Sequence, residues 1–85
     1  MHKATTGSLR VLMFASLRDR VGWEERLIKL PAGVSRPAAV DIWNSLALGP
    51  LPAEIQVAIN QKLVGKDQPV FVGDEIAFLP PFTGG

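Results

Sequence analysis

Apolar residues cluster in several segments of the chain, and their spacing within each segment predicts a strand or a helix. The run 9–15 is apolar except at Arg10 and has no Gly or Pro, which favours a strand buried on both faces, although a short buried helix would show the same pattern. Residues 16–22 carry three charges and end in Gly, which indicates a loop or one helical turn. Residues 23–30 predict a second strand, because a Pro-Ala-Gly turn follows them.

Helical periodicity begins in the middle of the chain. Ser35 is the expected N-cap, with Pro37 in the first turn, where backbone N–H groups have no partner within the helix. The Gly49-Pro50 pair is expected to end the helix. Apolar residues recur at spacings of three and four, the pattern of one buried helix face: Ala39, Ile42, Trp43 and Leu46.

The last third of the chain returns to the period of a strand. Residues 54–60 are apolar at every second position, which predicts a strand, and Asn60-Gln61 is a candidate tight turn. Residues 72–74, Val-Gly-Asp, predict another turn, with Asp74 as a turn former. A final strand at 75–79 has apolar residues on both of its faces.

The order of these elements predicts an α+β layer in which a mixed sheet packs on one main helix. The first strand, apolar on both faces, is the natural central partner of the last strand. This order is that of the ubiquitin-like β-grasp. We therefore expect a flexible leader at 1–8, a β-grasp domain at 9–79 and an extended C-terminal tail at 80–85.

Composition narrows the classes of function. The 85 residues are 47% hydrophobic and 20% charged with a net charge of +1, so no strongly basic face for nucleic acid is expected. Apolar stretches fall short of the roughly 20 residues that span a bilayer, and the N-terminus lacks the apolar region of a secretory signal, so we expect a cytoplasmic protein without a membrane partner. With no cysteine, the chain has no disulfide, cysteine nucleophile or cysteine-based metal site, and we expect no bound metal.

The tail is the segment with candidate chemistry. Pro80-Pro81 favours an extended backbone, and Gly84-Gly85 can pass a narrow channel because it has no side chains. A carboxylate becomes an acyl donor when a partner enzyme adenylates it with ATP, and a sulfur nucleophile can then convert it to a thiocarboxylate. This chemistry needs no catalytic side chain and no permanently bound cofactor in the chain itself. The alternative is a frayed, idle end.

Several segments resemble the small subunit of molybdopterin synthase, the MoaD type of sulfur carrier. The most specific of them is 73–85, Gly-Asp-Glu-Ile-Ala-Phe-Leu-Pro-Pro-Phe-Thr-Gly-Gly, whereas 31–54 matches only by pattern. Thiamine-pathway carriers share the Gly-Asp turn and the Gly-Gly end but usually lack the two prolines. The matching segments are 11–15, 18–22, 57–64, 72–81 and 83–85.

The resemblance implies a cycle centred on Gly85, with Gly84 beside it. An adenylating enzyme would activate Gly85, the thiocarboxylate would form there, and the synthase large subunit would hold the catalytic side chains and the pterin precursor that receives the sulfur. The resemblance also implies an interface with the large subunit, formed by Phe14, Leu63, Leu79, Pro80, Pro81, Phe82 and Thr83. From pattern alone, Phe14 and Leu63 could equally be core residues.

Three alternatives stay open beside this interpretation: a sulfur carrier for thiamine or another thiolation pathway, a ubiquitin-like modifier that joins Gly85 to lysines, and an interaction domain with an idle tail. The two prolines favour the molybdopterin interpretation over the thiamine one. The implied apolar interface, with no conspicuous charged group for a ligase, favours it over the modifier.

Overall fold

The computed structural model describes residues 7–31 and 33–81. It contains five strands and two helices, in the order β1 Ser8–Met13, α1 Ala15–Val21, β2 Glu25–Lys29, α2 Ala39–Ser45, β3 Gln56–Ile59, β4 Lys62–Val64 and β5 Glu75–Leu79. Residues 1–6 of the expected leader and the last four residues of the expected tail lie outside this description, and Ser8, also expected in the leader, is the first residue of β1.

The five strands form one mixed sheet in the order β2-β1-β5-β3-β4. β1 and β5 run parallel at the centre, with Val11 opposite Ile76, and the other neighbouring pairs are antiparallel. The expected pairing of the first strand with the last is therefore confirmed. This is the β-grasp order, in which a crossover that contains α2 joins the β1–β2 hairpin to β3, β4 and β5, and the first and last strands pair.

The core lies between one face of this sheet and α2. Along β1, alternate residues are buried and the residues between them face away, because successive side chains of a strand point to opposite faces. Trp43 of α2 is fully buried, its ring lies 5.0 Å from that of Phe78 in an edge-to-face arrangement, and its indole N–H donates to the Gly49 carbonyl at 3.0 Å. Trp43 is thus a core residue, as expected.

The segment expected to be a loop or one helical turn is a helix of about two turns, α1. It ends at Val21, and its C-cap Gly22 has a φ of 86° and donates its N–H to the Arg18 carbonyl. Leu17 is the residue of α1 that is buried, so the sequence carries too faint a helical period to predict the second turn. Within the described ranges, no helix is long and apolar enough to cross a membrane.

The start of α2 differs from the sequence prediction. Ser35 is not the N-cap and Pro37 is not in the first turn, because the helix begins at Ala39. The helix also ends earlier than expected, at Ser45 and not at Gly49-Pro50. The N–H groups of Ala39 and Val40 donate to carbonyls of the loop 66–68, at 3.0 and 2.9 Å. Carbonyl groups of a distant loop thus accept the hydrogen bonds that a capping side chain would otherwise accept. The sequence around the start of the helix does not reveal these contacts.

The turn before β5 is organised by Asp74, as predicted. Its carboxylate accepts the Phe71 N–H at 2.9 Å and the Asn60 side-chain amide at 3.1 Å. Asn60 in turn accepts the Glu75 N–H at 3.0 Å, and Gly73 supplies the φ of 89° that the turn requires. The two turns at this end of the sheet are therefore bonded to each other, which fixes where β5 begins.

Replacing Asp74 with alanine should destabilise the fold by about 1–3 kcal/mol, because two donors lose their acceptor. Asp74→Asn keeps one side-chain oxygen and should cost less. Urea unfolding of both variants measures the difference. Equal costs for the two substitutions would show that the carboxylate bonds do not organise this turn.

Candidate functional site

The tail leaves the sheet where two prolines end both hydrogen-bond ladders of β5. The Arg10 N–H donates to the Asp74 carbonyl and the Asn60 N–H to the Glu75 carbonyl, so even-numbered residues of β5 face β1 and odd-numbered residues face β3. By this alternation Pro80 would face β1 and Pro81 would face β3. Because proline has no N–H, each neighbour loses its next donor, and the chain is released from the sheet immediately after Leu79.

The sheet face opposite α2 carries apolar side chains beside this exit point. The registers place Leu63 opposite Ala58, Ala58 opposite Ala77, and Ala77 opposite Leu12, and directly opposed residues share a face. Phe14 and Leu79 come directly after the opposed pair of Met13 and Phe78, one step nearer the tail. We call this surface the apolar patch, and its residues are Leu12, Phe14, Ala58, Leu63, Ala77 and Leu79.

Exposure shows which members of the apolar patch are free to contact a partner. Leu63 is 67% exposed and Phe14 is 43% exposed, while Leu79 is half-buried. Ala58 and Ala77 are buried small residues at the centre of the row. The centre of the patch is therefore a shallow depression bordered by large apolar side chains, and a partner's side chain can pack into it.

The other end of the same face is polar. Arg10 forms ion pairs with Glu75 and, at 3.5 Å, with Glu25. The hydrogen bond that Arg10 donates to the Glu75 carboxylate, and then the charge of Glu25, raise the pKa of Arg10 above its ordinary value, so the guanidinium stays charged. The face is thus divided into a charged half near the start of β5 and an apolar half near the tail. A partner that binds the apolar half would also cover the point after Leu79 where the tail leaves the sheet.

The structure brings together the predicted site residues that it describes. Phe14, Leu63 and Leu79 lie on one face beside Pro80 and Pro81, and the alternative that Phe14 and Leu63 are core residues is wrong. Phe82, Thr83, Gly84 and Gly85 lie outside the described residues.

Sequence reasoning missed Leu12, Ala58 and Ala77. The one available sign was that β1 and β5 are apolar on both faces, although α2 can cover only one of them. Among residues 7–31 and 33–81, no group of His, Cys, Asp or Glu side chains is placed to hold a metal ion.

Comparisons with known proteins place this geometry in a family. The family model described as "ThiS family" matches residues 11–85. The molybdopterin synthase sulfur carrier subunit of Escherichia coli (strain K12) is 37% identical over 83 residues, which cover 91% of this chain and 99% of the relative. The protein of the same name from Haemophilus influenzae is 39% identical over 85 residues, with the same two coverages.

A solved structure shows the same fold. The crystal structure of SAMP1 from Haloferax volcanii superposes with a TM-score of 0.76 and 23% sequence identity, covering 93% of this chain and all of that one. At this identity the likeness concerns the fold alone. The family match spans the sheet, the apolar patch and the C-terminal tail, and the chain belongs to the ThiS family.

Proposed function

We propose that this protein is a sulfur carrier and the small subunit of a molybdopterin synthase, and that Gly85 carries the sulfur atom. The observation that carries the proposal is the apolar patch, which reaches the point where Pro80 and Pro81 release the tail from both neighbouring strands. The names of the relatives from E. coli and H. influenzae support the assignment. A partner docked on the patch is adjacent to the chain end that it must receive.

The proposed cycle balances around the Gly85 carboxylate. A partner enzyme transfers AMP from ATP to this carboxylate, and pyrophosphate leaves. Sulfide then attacks the acyl carbon and AMP leaves, which gives a terminal thiocarboxylate. A persulfide donor reaches the same product through an acyl disulfide, whose S–S bond a second thiol cleaves while the donor and that thiol become a disulfide. The thiocarboxylate sulfur attacks an electrophilic carbon of the pterin precursor and displaces an oxygen substituent from it. Water then cleaves the acyl–sulfur bond, so that the sulfur stays on the precursor and Gly85 returns to a carboxylate.

The chain's own contribution to this cycle is presentation. A thiocarboxylate, like a thiolate, is a sulfur nucleophile in its anionic form, and it needs no acid or base from the carrier. The two prolines restrict the tail before binding, so less conformational entropy is lost when a channel orders it. Acid–base groups and the pterin pocket belong to the large subunit, and ATP is consumed by the adenylating enzyme.

Leu63→Ala should weaken binding of the large subunit by about tenfold, because burying a leucine side chain contributes roughly 1.5–3 kcal/mol and alanine retains part of it. Leu27→Ala is a matched control: Leu27 is 61% exposed on the same face of the sheet but lies opposite Arg10, in the charged half. Titration calorimetry with the large subunit measures both. Binding that responds equally to the two substitutions would contradict docking on the apolar patch.

A reconstituted reaction tests the proposed function as a whole. Thiocarboxylated protein, mixed with the large subunit and the pterin precursor, should yield the sulfurated product with one sulfur consumed per carrier. The matched control is the same protein with a free carboxylate, which should yield none. If the thiocarboxylated protein binds the large subunit but transfers no sulfur, or transfers it only to a thiamine precursor, the proposal is wrong.

A further inference from the structure

We propose that the free edge of β4 is a second docking element, which pairs as a sheet edge with an extended segment of the subunit that receives the tail. This inference rests on the proposed function, because it names a further contact with the same partner. It concerns backbone pairing, whereas the apolar patch concerns side chains.

The direction of the backbone groups of β4 follows from its pairing with β3. The Asn60 N–H bonds to β5, so by alternation the neighbouring residue Ile59 faces β4, where it lies opposite Lys62 and closes the hairpin. Asn60 and Gln61 both have positive φ, 52° and 72°, as a two-residue hairpin turn of type I′ requires. Lys62 thus bonds to β3, and Leu63, the next residue, directs its N–H and C=O away from the sheet.

In the part of the chain that the structure describes, no strand pairs with this side of β4, which is the last strand in the sheet order. An unpaired edge is a template for another strand, and proteins usually protect it with charged residues or proline. The opposite edge, β2, has that protection, since Glu25, Arg26 and Lys29 lie along its five residues. At β4 the outward-facing residue is Leu63, which is apolar and 67% exposed.

The edge is continuous with the proposed interface. An open groove of about 500 Å³ runs beside it and is lined by residues of β3 and β4 and of the segments next to them: Ile55, Gln56, Val57, Leu63, Val64, Gly65, Lys66 and Asp67. Gln56 lies opposite Leu79, the last residue before the tail. The groove, the apolar patch and the tail exit therefore occupy one end of the sheet, and Leu63 belongs to both the edge and the patch.

Charge at this edge specifies the kind of segment that fits. The Lys66 ammonium donates to the carbonyls of Pro52 and Ala53, at 3.0 and 2.8 Å, so these contacts within the chain hold it in place. Lys62 is exposed at the start of the edge. An extended segment with an acidic residue near Lys62 and an apolar side chain over Leu63 would satisfy both features. Pairing in one register would also set how far the tail extends into the partner, because each residue of slip moves it by about 3.3 Å.

Amide hydrogen exchange of the complex tests this inference without any substitution. In the free protein the Leu63 and Leu27 amides both point outward from edge strands, so both should exchange quickly. On binding of the molybdopterin synthase large subunit, exchange at Leu63 should slow by about tenfold or more, while Leu27 should be unchanged. A Leu63 amide that exchanges as quickly in the complex as in the free protein would overturn the pairing.

Proline substitution separates the backbone contact from the side-chain contact. Leu63→Pro removes the outward N–H as well as the leucine side chain, and proline is tolerated on an edge strand where the N–H faces solvent. Leu63→Pro should bind the large subunit about three- to tenfold more weakly than Leu63→Ala, the loss expected for one hydrogen bond. The matched pair Leu27→Pro and Leu27→Ala should bind alike.

Two failures can be told apart. Equal affinities for Leu63→Pro and Leu63→Ala, with Leu63→Ala still weaker than the unaltered protein, overturn the edge pairing and leave docking on the apolar patch intact. An unaltered protein that does not bind the large subunit overturns the proposed function itself. A thermal melt of Leu63→Pro verifies its fold, and the exchange experiment decides the matter if that variant is unfolded.

Discussion

Removal of Gly85 should abolish sulfur transfer while leaving the melting temperature unchanged. The proposed chemistry takes place at the carbonyl carbon of this residue, so without it the carboxylate lies one residue short of the partner's reacting groups. The sheet ladders end at Leu79, and the core consists of residues between Leu9 and Phe78. The tail therefore adds little to the free energy of unfolding. A sulfuration assay and differential scanning calorimetry on the same preparation measure the two effects.

Binding of the truncated protein provides the control for this deletion. The apolar patch is intact without Gly85, so the large subunit should still bind, and the loss should be one of transfer. If the truncated protein still supported sulfuration of the pterin precursor, the role assigned to Gly85 would be wrong.

Trp43→Ala should destabilise the protein by about 3–5 kcal/mol, a large share of the roughly 5–15 kcal/mol that holds a small domain folded. Trp43 is fully buried, packs edge-to-face on Phe78 and donates its indole N–H to Gly49. Alanine leaves a cavity beside the central strand and a carbonyl without its donor. Chemical denaturation monitored by far-ultraviolet circular dichroism measures the change, since the fluorescence of the variant differs.

Trp23 offers a matched substitution outside the centre of the core. It is half-buried and lies 4.7 Å below the guanidinium of Arg26, a contact of about 0.5–1 kcal/mol at exposed sites. Trp23→Ala should therefore cost clearly less than Trp43→Ala. Equal costs would show that α2 does not hold the sheet as its packing indicates.

The sheet could be predicted because its strands carry strong local patterns. Residues 54–60 alternate, the Asn60-Gln61 turn follows them, and Gly73-Asp74 precedes a strand that is apolar on both faces. The second turn of α1 and the start of α2 could not be predicted for a different reason. The helix α1 packs on the core through Leu17, with Val21 partly buried, which is too short an apolar stripe to show its period. The start of α2 depends on carbonyls of the loop 66–68, which lies more than twenty residues away in the chain.

The sequence likewise predicts one part of the candidate site and not the other. The tail's chemistry is visible in the sequence because glycine, proline and the missing cysteines each restrict what the chain can do. The sequence does not show whether Phe14 and Leu63 are core or surface residues, because a strand that is apolar on both faces does not show which face the helix covers. The registers of β3 with β4 and β5 settle this for Leu63, and they also give the outward direction of its backbone.

Intact mass spectrometry of the protein isolated from its native cells tests the central proposal most directly. We expect a fraction of the protein to be heavier by the difference between one sulfur and one oxygen atom, with the change located at Gly85 by fragmentation. Treatment with a thiol-alkylating reagent should label that fraction alone, because the chain has no cysteine. A protein that carries only the free carboxylate at Gly85, in cells that are synthesising molybdopterin, would contradict its role as the sulfur carrier.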